Sequence, residues 1–178
     1  AAESLSDTVL AHLDKGHTRA DILTALAATR AAGITLRPTW VAFTPWTTLD
    51  DHRAWLDFLA AEALIDHVDP VQYGLRLLVP PGSLLLETEA LRPYLGPLEQ
   101  ATLSYRWTHP DPRMDRVQAE TAAVVAQATE AGAEAPVIFD RVRALAAAAA
   151  GVEAPAPVAG GMGKGRKRPP RLSEAWFC

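Results

Sequence analysis

The sequence predicts an α/β fold, the C-terminal part of a partial (β/α) TIM-like barrel, from two observations in residues 1–87. Apolar residues recur there at helical spacing in three stretches. Two further apolar stretches, roughly Thr35–Phe43 and Val71–Val79, flank the third helix and end at proline-containing turns. A strand, a helix and a second strand form a βαβ unit, which predicts parallel strands joined by a right-handed crossover.

Each predicted helix in this region has a recognisable start. Ser6 is a candidate N-cap for the first helix. Thr18 and Thr48 are each followed three residues later by an aspartate, a spacing similar to a capping box. Gly16 and Gly33 supply the stops of the first two helices.

The stretch Val71–Val79 is the main reason to expect a ligand. In an extended strand its odd-numbered residues form an apolar face, while Gln72, Gly74 and Arg76 lie on the other. A guanidinium in a packed core is costly unless it is paired. The pattern predicts that Arg76 lines a cavity holding a polar ligand; the alternative is a structural ion pair at a strand end.

Residues 88–150 are expected to be a helical appendix without strands, with Asp111 as an N-cap and Pro112 at the first helical position. His109, Asp111 and Asp115 could form a metal-ligand cluster, but the capping role explains Asp111 better. The histidines show no metal-ligand spacing and are interpreted as surface or capping residues. Residues 151–178 are predicted to be a disordered linker with a Trp-Phe-Cys tail.

Composition narrows the function classes. The net charge of −4 argues against general affinity for nucleic acid or anionic membrane, and no apolar run has the length of a membrane helix. The basic run 164–168 is either an RNA- or phosphate-contacting segment or, on the preferred interpretation, a solubilising linker. Cys178 is the single cysteine, so no disulfide forms within the chain and a cytoplasmic protein is expected.

Several segments resemble a known family. Glu3–Asp7, Lys15–Thr18, Pro38–Thr47 and Arg76–Pro80 resemble the later part of a radical SAM barrel. The stretch Ser173–Cys178 is similar to the approach to the Cys-Sec-Ala-Glu-Pro or Cys-Cys-Ala-Glu-Pro ending of the CUAEP/CCAEP-tail radical SAM proteins.

The resemblance implies an iron-sulfur enzyme in which a 4Fe–4S cluster cleaves S-adenosylmethionine to a radical that attacks a small-molecule or peptide substrate. It implies that Glu3 and Ser4 lie near the ribose or amino-acid part of the cofactor. The adenine and substrate would neighbour the ends of the next two strands, at the residues Phe43, Pro45, Trp46, Arg76 and Val79. Cys178 is the catalytic candidate of the tail. The family continues there with selenocysteine or cysteine, and a UGA codon read as a stop is therefore expected after Cys178.

The sequence departs from the family because it contains no CxxxCxxC cluster motif. We therefore expect a C-terminal fragment that is inactive alone, holds no cofactor and has the missing N-terminal half of the barrel as its partner. The alternative function is a non-catalytic binding module that recruits a partner through the half barrel and the basic tail. A hydrolase or aldolase barrel is less consistent, since the strand ends lack paired carboxylates or a lysine.

Overall fold

The computed structural model describes residues 1–158 and Pro169, and it combines helices with a small amount of sheet. The α-helices in the described residues are α1 (Asp7–His12), α2 (Arg19–Ala31), α3 (Leu49–Ala61), α4 (Pro112–Glu130) and α5 (Ala135–Ala150). Strands β1 (Leu95–Glu99) and β2 (Ser104–Trp107) form an antiparallel hairpin. Four short 3₁₀ helices connect these elements: Ile65–His67, Pro70–Gly74, Leu84–Glu87 and Arg92–Tyr94.

The predicted helix starts are confirmed at α2 and α3. Thr18 and Thr48 both form complete capping boxes, in which the threonine side chain and the aspartate three residues later satisfy each other's backbone N–H groups. Asp111 caps α4 by accepting a hydrogen bond from the Arg113 N–H, with Pro112 at the first helical position. Ser6 does precede α1, but its side chain makes no capping hydrogen bond.

Three short extended segments, residues 2–4, 39–43 and 75–79, lie side by side and are called the parallel segments below. Glu3 is bridged in parallel to Trp40, and Phe43 is bridged in parallel to Arg76. The Phe43 N–H donates to the Leu75 carbonyl at 3.1 Å, and the Leu77 N–H donates to the Phe43 carbonyl at 2.8 Å. The parallel orientation predicted for the βαβ unit is therefore present at this bridge, while closure into a barrel is not.

The predicted strand Val71–Val79 is wrong in its first half, because Pro70–Gly74 is a 3₁₀ helix. The Asp69 side chain accepts a hydrogen bond from the Val71 N–H, and Pro70 stands at the first helical position. These two local features favour a helical turn over the extended conformation that the apolar residues suggested. As a result Val71 is 61% exposed and Tyr73 is fully buried, so the two do not share one face.

The expectation of an appendix without strands is also wrong, because β1 and β2 lie within residues 88–150. A backbone hydrogen bond joins strand β2 to the third parallel segment: the Tyr105 N–H donates to the Val79 carbonyl at 2.8 Å. The sequence of β1 does not predict a strand, because it contains Gly96 and Pro97 and both residue types are depleted in strands.

A single buried cluster holds these elements together. Its largest members include Trp40, Phe43 and Tyr73 from the segments and turns, and Phe139 from α5. Helix α5 packs against both α3 and α4, so the helices after the hairpin share the core of residues 1–87. Within residues 1–158, no helix has both the length and the apolar character required to cross a membrane.

Candidate functional site

The carboxyl ends of the parallel segments are the predicted functional rim, and Glu3 and Ser4 form its first part. Glu3 has φ of +65°, and the N–H groups of Ala2 and Glu3 both donate to the Thr39 carbonyl. The Glu3 carboxylate pairs with Lys15 at 3.0 Å. The Ser4 hydroxyl accepts a hydrogen bond from the Ser6 N–H at 3.1 Å. Both polar side chains therefore have partners within the first fifteen residues.

The predicted contacts from the second and third segments are mostly buried. Phe43, Pro45 and Val79 lie in the interior. Trp46 is half-buried; its ring lies 4.7 Å from the His12 ring, and its indole N–H donates to the Ala90 carbonyl at 3.1 Å. These side chains fix the ends of the segments and do not surround a common cavity.

Arg76 has the structural role that the sequence left open as an alternative. Its guanidinium pairs with Asp115 at 2.7 Å and donates to the Trp107 carbonyl. It also lies 3.5 Å from the centroid of the Trp107 ring, a cation–π geometry. The side chain is 27% exposed. Arg76 therefore joins the third parallel segment to β2 and α4 rather than projecting into an internal chamber.

His109 extends this polar network to the loop after the second segment. The Asp115 carboxylate, already paired with Arg76, accepts a hydrogen bond from the backbone N–H of His109 at 3.0 Å. The Asp111 N–H donates to His109 Nδ1 at 2.9 Å, and His109 Nε2 lies 3.0 Å from the Thr47 carbonyl, a hydrogen-bond distance. The three residues considered as a metal cluster are thus a helix cap, a member of an ion pair and a histidine that bridges two loops. No group of three or more potential metal ligands occurs among the described residues.

Sequence reasoning missed His52, which is 1% exposed and was interpreted as a surface or capping residue. It lies on the buried face of α3, packed on Phe43 at 4.7 Å and on Trp55 at 5.7 Å between ring centroids. Burial lowers the pKa of His52 to about 4. The helical spacing of Leu49, His52 and Leu56 is the signal that could have found it.

His52 lines a small internal cavity together with Glu3, Ser4, Trp40 and Trp55. Neither ring nitrogen of His52 makes a hydrogen bond of good geometry, although an interaction with the Ala42 backbone partly opposes the effect of burial on its pKa. The indole N–H groups of Trp40 and Trp55 have no hydrogen-bond partner. The cavity has a volume of about 10 Å³, which is the space of about one water molecule. A neutral imidazole offers an acceptor and the indoles offer donors, so the site suits a buried water rather than a cofactor.

A large concave surface lies away from this rim, between the Pro70–Gly74 turn and helices α4 and α5. It has a volume of about 950 Å³ and is called the α4/α5 groove below. Its apolar lining includes Val71, Leu75 and Leu78, which are 61%, 37% and 67% exposed. Its acidic lining residues are Asp69, Glu130 and Glu134. Arg76 is the one predicted site residue that borders it.

The described residues do not fit the cofactors that the resemblance implies. A 4Fe–4S cluster is held by several cysteine thiolates, and this chain has only Cys178, which lies outside the described residues. Among the residues expected around S-adenosylmethionine, Glu3 and Ser4 share a cavity, but its volume of about 10 Å³ is far too small for that cofactor. Phe43, Pro45 and Val79 are buried in the core. A search with the chain finds no matching protein-family model, no matching curated protein and no matching solved structure.

Proposed function

We propose that this chain is the C-terminal section of a radical SAM enzyme and is not catalytic by itself. The observation that supports the proposal is the order of the parallel segments. Residues 2–4, 39–43 and 75–79 lie side by side in chain order, and helices connect them, as successive strands of a (β/α) barrel would. The resemblance of the same segments to a radical SAM barrel gives the class of chemistry.

In this proposal the chain supplies a wall of the barrel and no chemical step. Its ion pairs and the His109 bridge hold the ends of the second and third segments at fixed positions. The outer side of segment 2–4 is where further strands of the missing half would pair, since the backbone bonds of Ala2, Glu3 and Val41 join only its inner side to 39–41. We place the protein in the cytoplasm, where a lone cysteine and an oxygen-sensitive partner half are both compatible.

Anaerobic reconstitution with iron, sulfide and S-adenosylmethionine tests the proposal. The chain is expected to show no iron–sulfur absorbance and no 5′-deoxyadenosine. A C178S variant is the control: iron retained by the variant is not thiolate-bound. An iron–sulfur absorbance that appears with the unchanged chain and is lost in C178S would contradict the proposal that the chain is not catalytic by itself. The reading frame upstream is expected to encode CxxxCxxC, and a frame without it would contradict the assignment to this class.

A non-catalytic binding module is the second candidate, and the α4/α5 groove favours it. The groove has a volume of about 950 Å³, against about 10 Å³ for the cavity at the predicted rim, and its lining combines apolar and acidic residues. Such a module needs no upstream cluster motif. This candidate predicts that the purified chain retains a bound partner. Glu130 is an exposed residue of the groove, so E130K should release that partner, whereas E120K, on the same helix, should not.

A further inference from the structure

The α4/α5 groove is open on the described part of the molecule and has the properties of a peptide-binding surface. Pro70–Gly74 forms one wall, and α4 forms the other with Ala122, Val125 and Ala126. The exposed side chains of Val71 and Leu78 leave apolar surface uncovered at the first wall. Large exposed apolar patches with polar residues around them mark interaction sites, and the exposed Val71 and Leu78 side chains give this groove the same composition on a smaller scale.

The chain after α5 folds back along this helix. Gly151 takes a left-handed conformation with φ of +68°, which reverses the chain. The Ala156 carbonyl then contacts Arg143, and the Val158 N–H donates to the Asp140 carboxylate at 2.9 Å. The chain therefore runs back along α5 toward the start of that helix, on the side where Arg143 pairs with Asp57 of α3, whereas Ala135 lines the groove on the α4 side. Asp140 and Ala135 are about 7.5 Å apart along the helix axis, at 1.5 Å per residue.

The charges of the two parts of the chain are opposite. Residues 159–178 contain five of the seventeen Lys and Arg residues and one of the twenty-one Asp and Glu residues, so this segment carries a net charge of +4. Residues 1–158 consequently carry −8. The groove shares the acidic character of the larger part through Asp69, Glu130 and Glu134.

The segment also carries large apolar side chains that match the apolar lining of the groove. Trp176 and Phe177 are adjacent aromatic residues, and a volume of about 950 Å³ is sufficient for both rings. Eighteen residues separate Val158 from Trp176, and a chain of that length has a root-mean-square span of roughly 21–25 Å. A helix with its side chains has a diameter of about 10–12 Å, so a span of this length passes around α5 from Asp140 to the groove and requires no rearrangement of the helix.

We propose that the α4/α5 groove binds the C-terminal segment of the same chain, residues 159–178, with Trp176 and Phe177 on its apolar floor and the basic run beside its carboxylates. Because the segment is tethered, its effective concentration at the groove is in the millimolar range, so weak contacts suffice. This inference does not depend on the radical SAM assignment.

Paramagnetic broadening tests the proposal on the full chain, since Cys178 is the only site for a nitroxide label. With the label attached, the amides of Gly74, Ala122 and Ala133 in the groove are expected to broaden strongly. Amides of α2, which lies outside the groove, are the internal reference. Equal broadening in both places would overturn the proposal.

Two variants show which contacts hold the segment. W176A/F177A is expected to abolish the broadening at the groove. E130K is expected to lower the bound population about two- to fivefold, the effect of one exposed charge pair. E120K, also an exposed glutamate of α4 but outside the groove, is the matched control and should leave it unchanged. Broadening that survives W176A/F177A, or that E120K reduces as much as E130K, would refute the docking mode.

A mixed sample separates this proposal from binding by a second copy. Labelled chain without nitrogen-15 is combined with nitrogen-15 chain that carries no label. Broadening within the groove of the unlabelled chain would show that the occupant is another molecule, and the intramolecular proposal would be abandoned. Unchanged amide dispersion in each variant verifies that the fold is retained.

Discussion

The ion pair between Arg76 and Asp115 gives the most direct test of how this fold is held together. Replacement of Arg76 by methionine keeps the aliphatic stem and removes the guanidinium. Three interactions are lost: the 2.7 Å pair with Asp115, the bond to the Trp107 carbonyl and the stacking on the Trp107 ring at 3.5 Å. All three connect the third parallel segment to elements that follow it.

The expected loss of stability follows from these contacts. Hydrogen bonds to charged groups contribute roughly 1.5–3 kcal/mol, and a cation–π contact about 0.5–1 kcal/mol. Arg76 and Asp115 are 27% and 29% exposed, so solvent screening reduces the first contribution. We expect R76M to lower the free energy of unfolding by about 2–3 kcal/mol, which for a chain of this size lowers the Tm by roughly 4–12 °C.

Urea unfolding of R76M, D115N and the double variant measures the coupling between the two side chains. D115N keeps an oxygen that accepts from the His109 N–H, so the cycle isolates the charge pair. We expect a coupling energy of about 1–2 kcal/mol. R92M is the control, because Arg92 pairs with Glu89 at the surface, where such pairs contribute little. A neutral or stabilising effect of R76M would refute the structural role and restore the ligand-facing interpretation.

Three further predictions use unfolding free energy as the readout. The pKa of His52 is lowered to about 4, against 6.5 for an unburied histidine, so stability is complete above pH 6.5 and falls toward pH 4 by up to roughly 1.4 kcal/mol per pH unit. H52L should remove this slope between pH 6.5 and 5, and an unchanged slope would contradict it. T48A should lose about 1 kcal/mol through its capping box, whereas S6A should be near neutral because Ser6 makes no side-chain cap; equal losses would contradict the difference. G74A should lose about 1–3 kcal/mol, since a Cβ there would lie 3.0 Å from the Ala122 Cα; a neutral effect would show that this close approach is absent.

The features that the sequence predicted well are those decided by neighbouring residues. The capping boxes at Thr18 and Thr48 involve residues three positions apart, and Asp111 with Pro112 needs only its own turn. Sequence spacing identifies such contacts because both partners lie within one helical turn. The order of helix, segment and helix in residues 1–87 followed from the same local signals.

The features that were missed depend on partners distant in the sequence. Arg76 could not be assigned to Asp115 because 39 residues separate them. Hairpin β1–β2 was missed for the same reason, since Tyr105 of β2 bonds to the distant Val79. The turn Pro70–Gly74 is different: its cap at Asp69 is local, and the apolar alternation of Val71–Val79 was given more weight than that cap. His52 was misjudged because a histidine is read as polar, although its neutral form packs on an aromatic core.

The distribution of charge changes the meaning of the low net charge. A total of −4 argued against anionic partners, yet it is the sum of −8 on residues 1–158 and +4 on residues 159–178. If the segment lies in the acidic groove, the acidic residues there neutralise its positive charges. The argument from net charge against general affinity for nucleic acid then applies to the whole chain. If the segment is displaced, a compact cationic stretch becomes accessible to anionic partners. Salt separates these states, because at 1 M the screening length is roughly 3 Å and only the aromatic contacts persist. Broadening at the groove that decreases with salt but remains above the α2 reference is therefore the expected signature of a segment held by both kinds of contact.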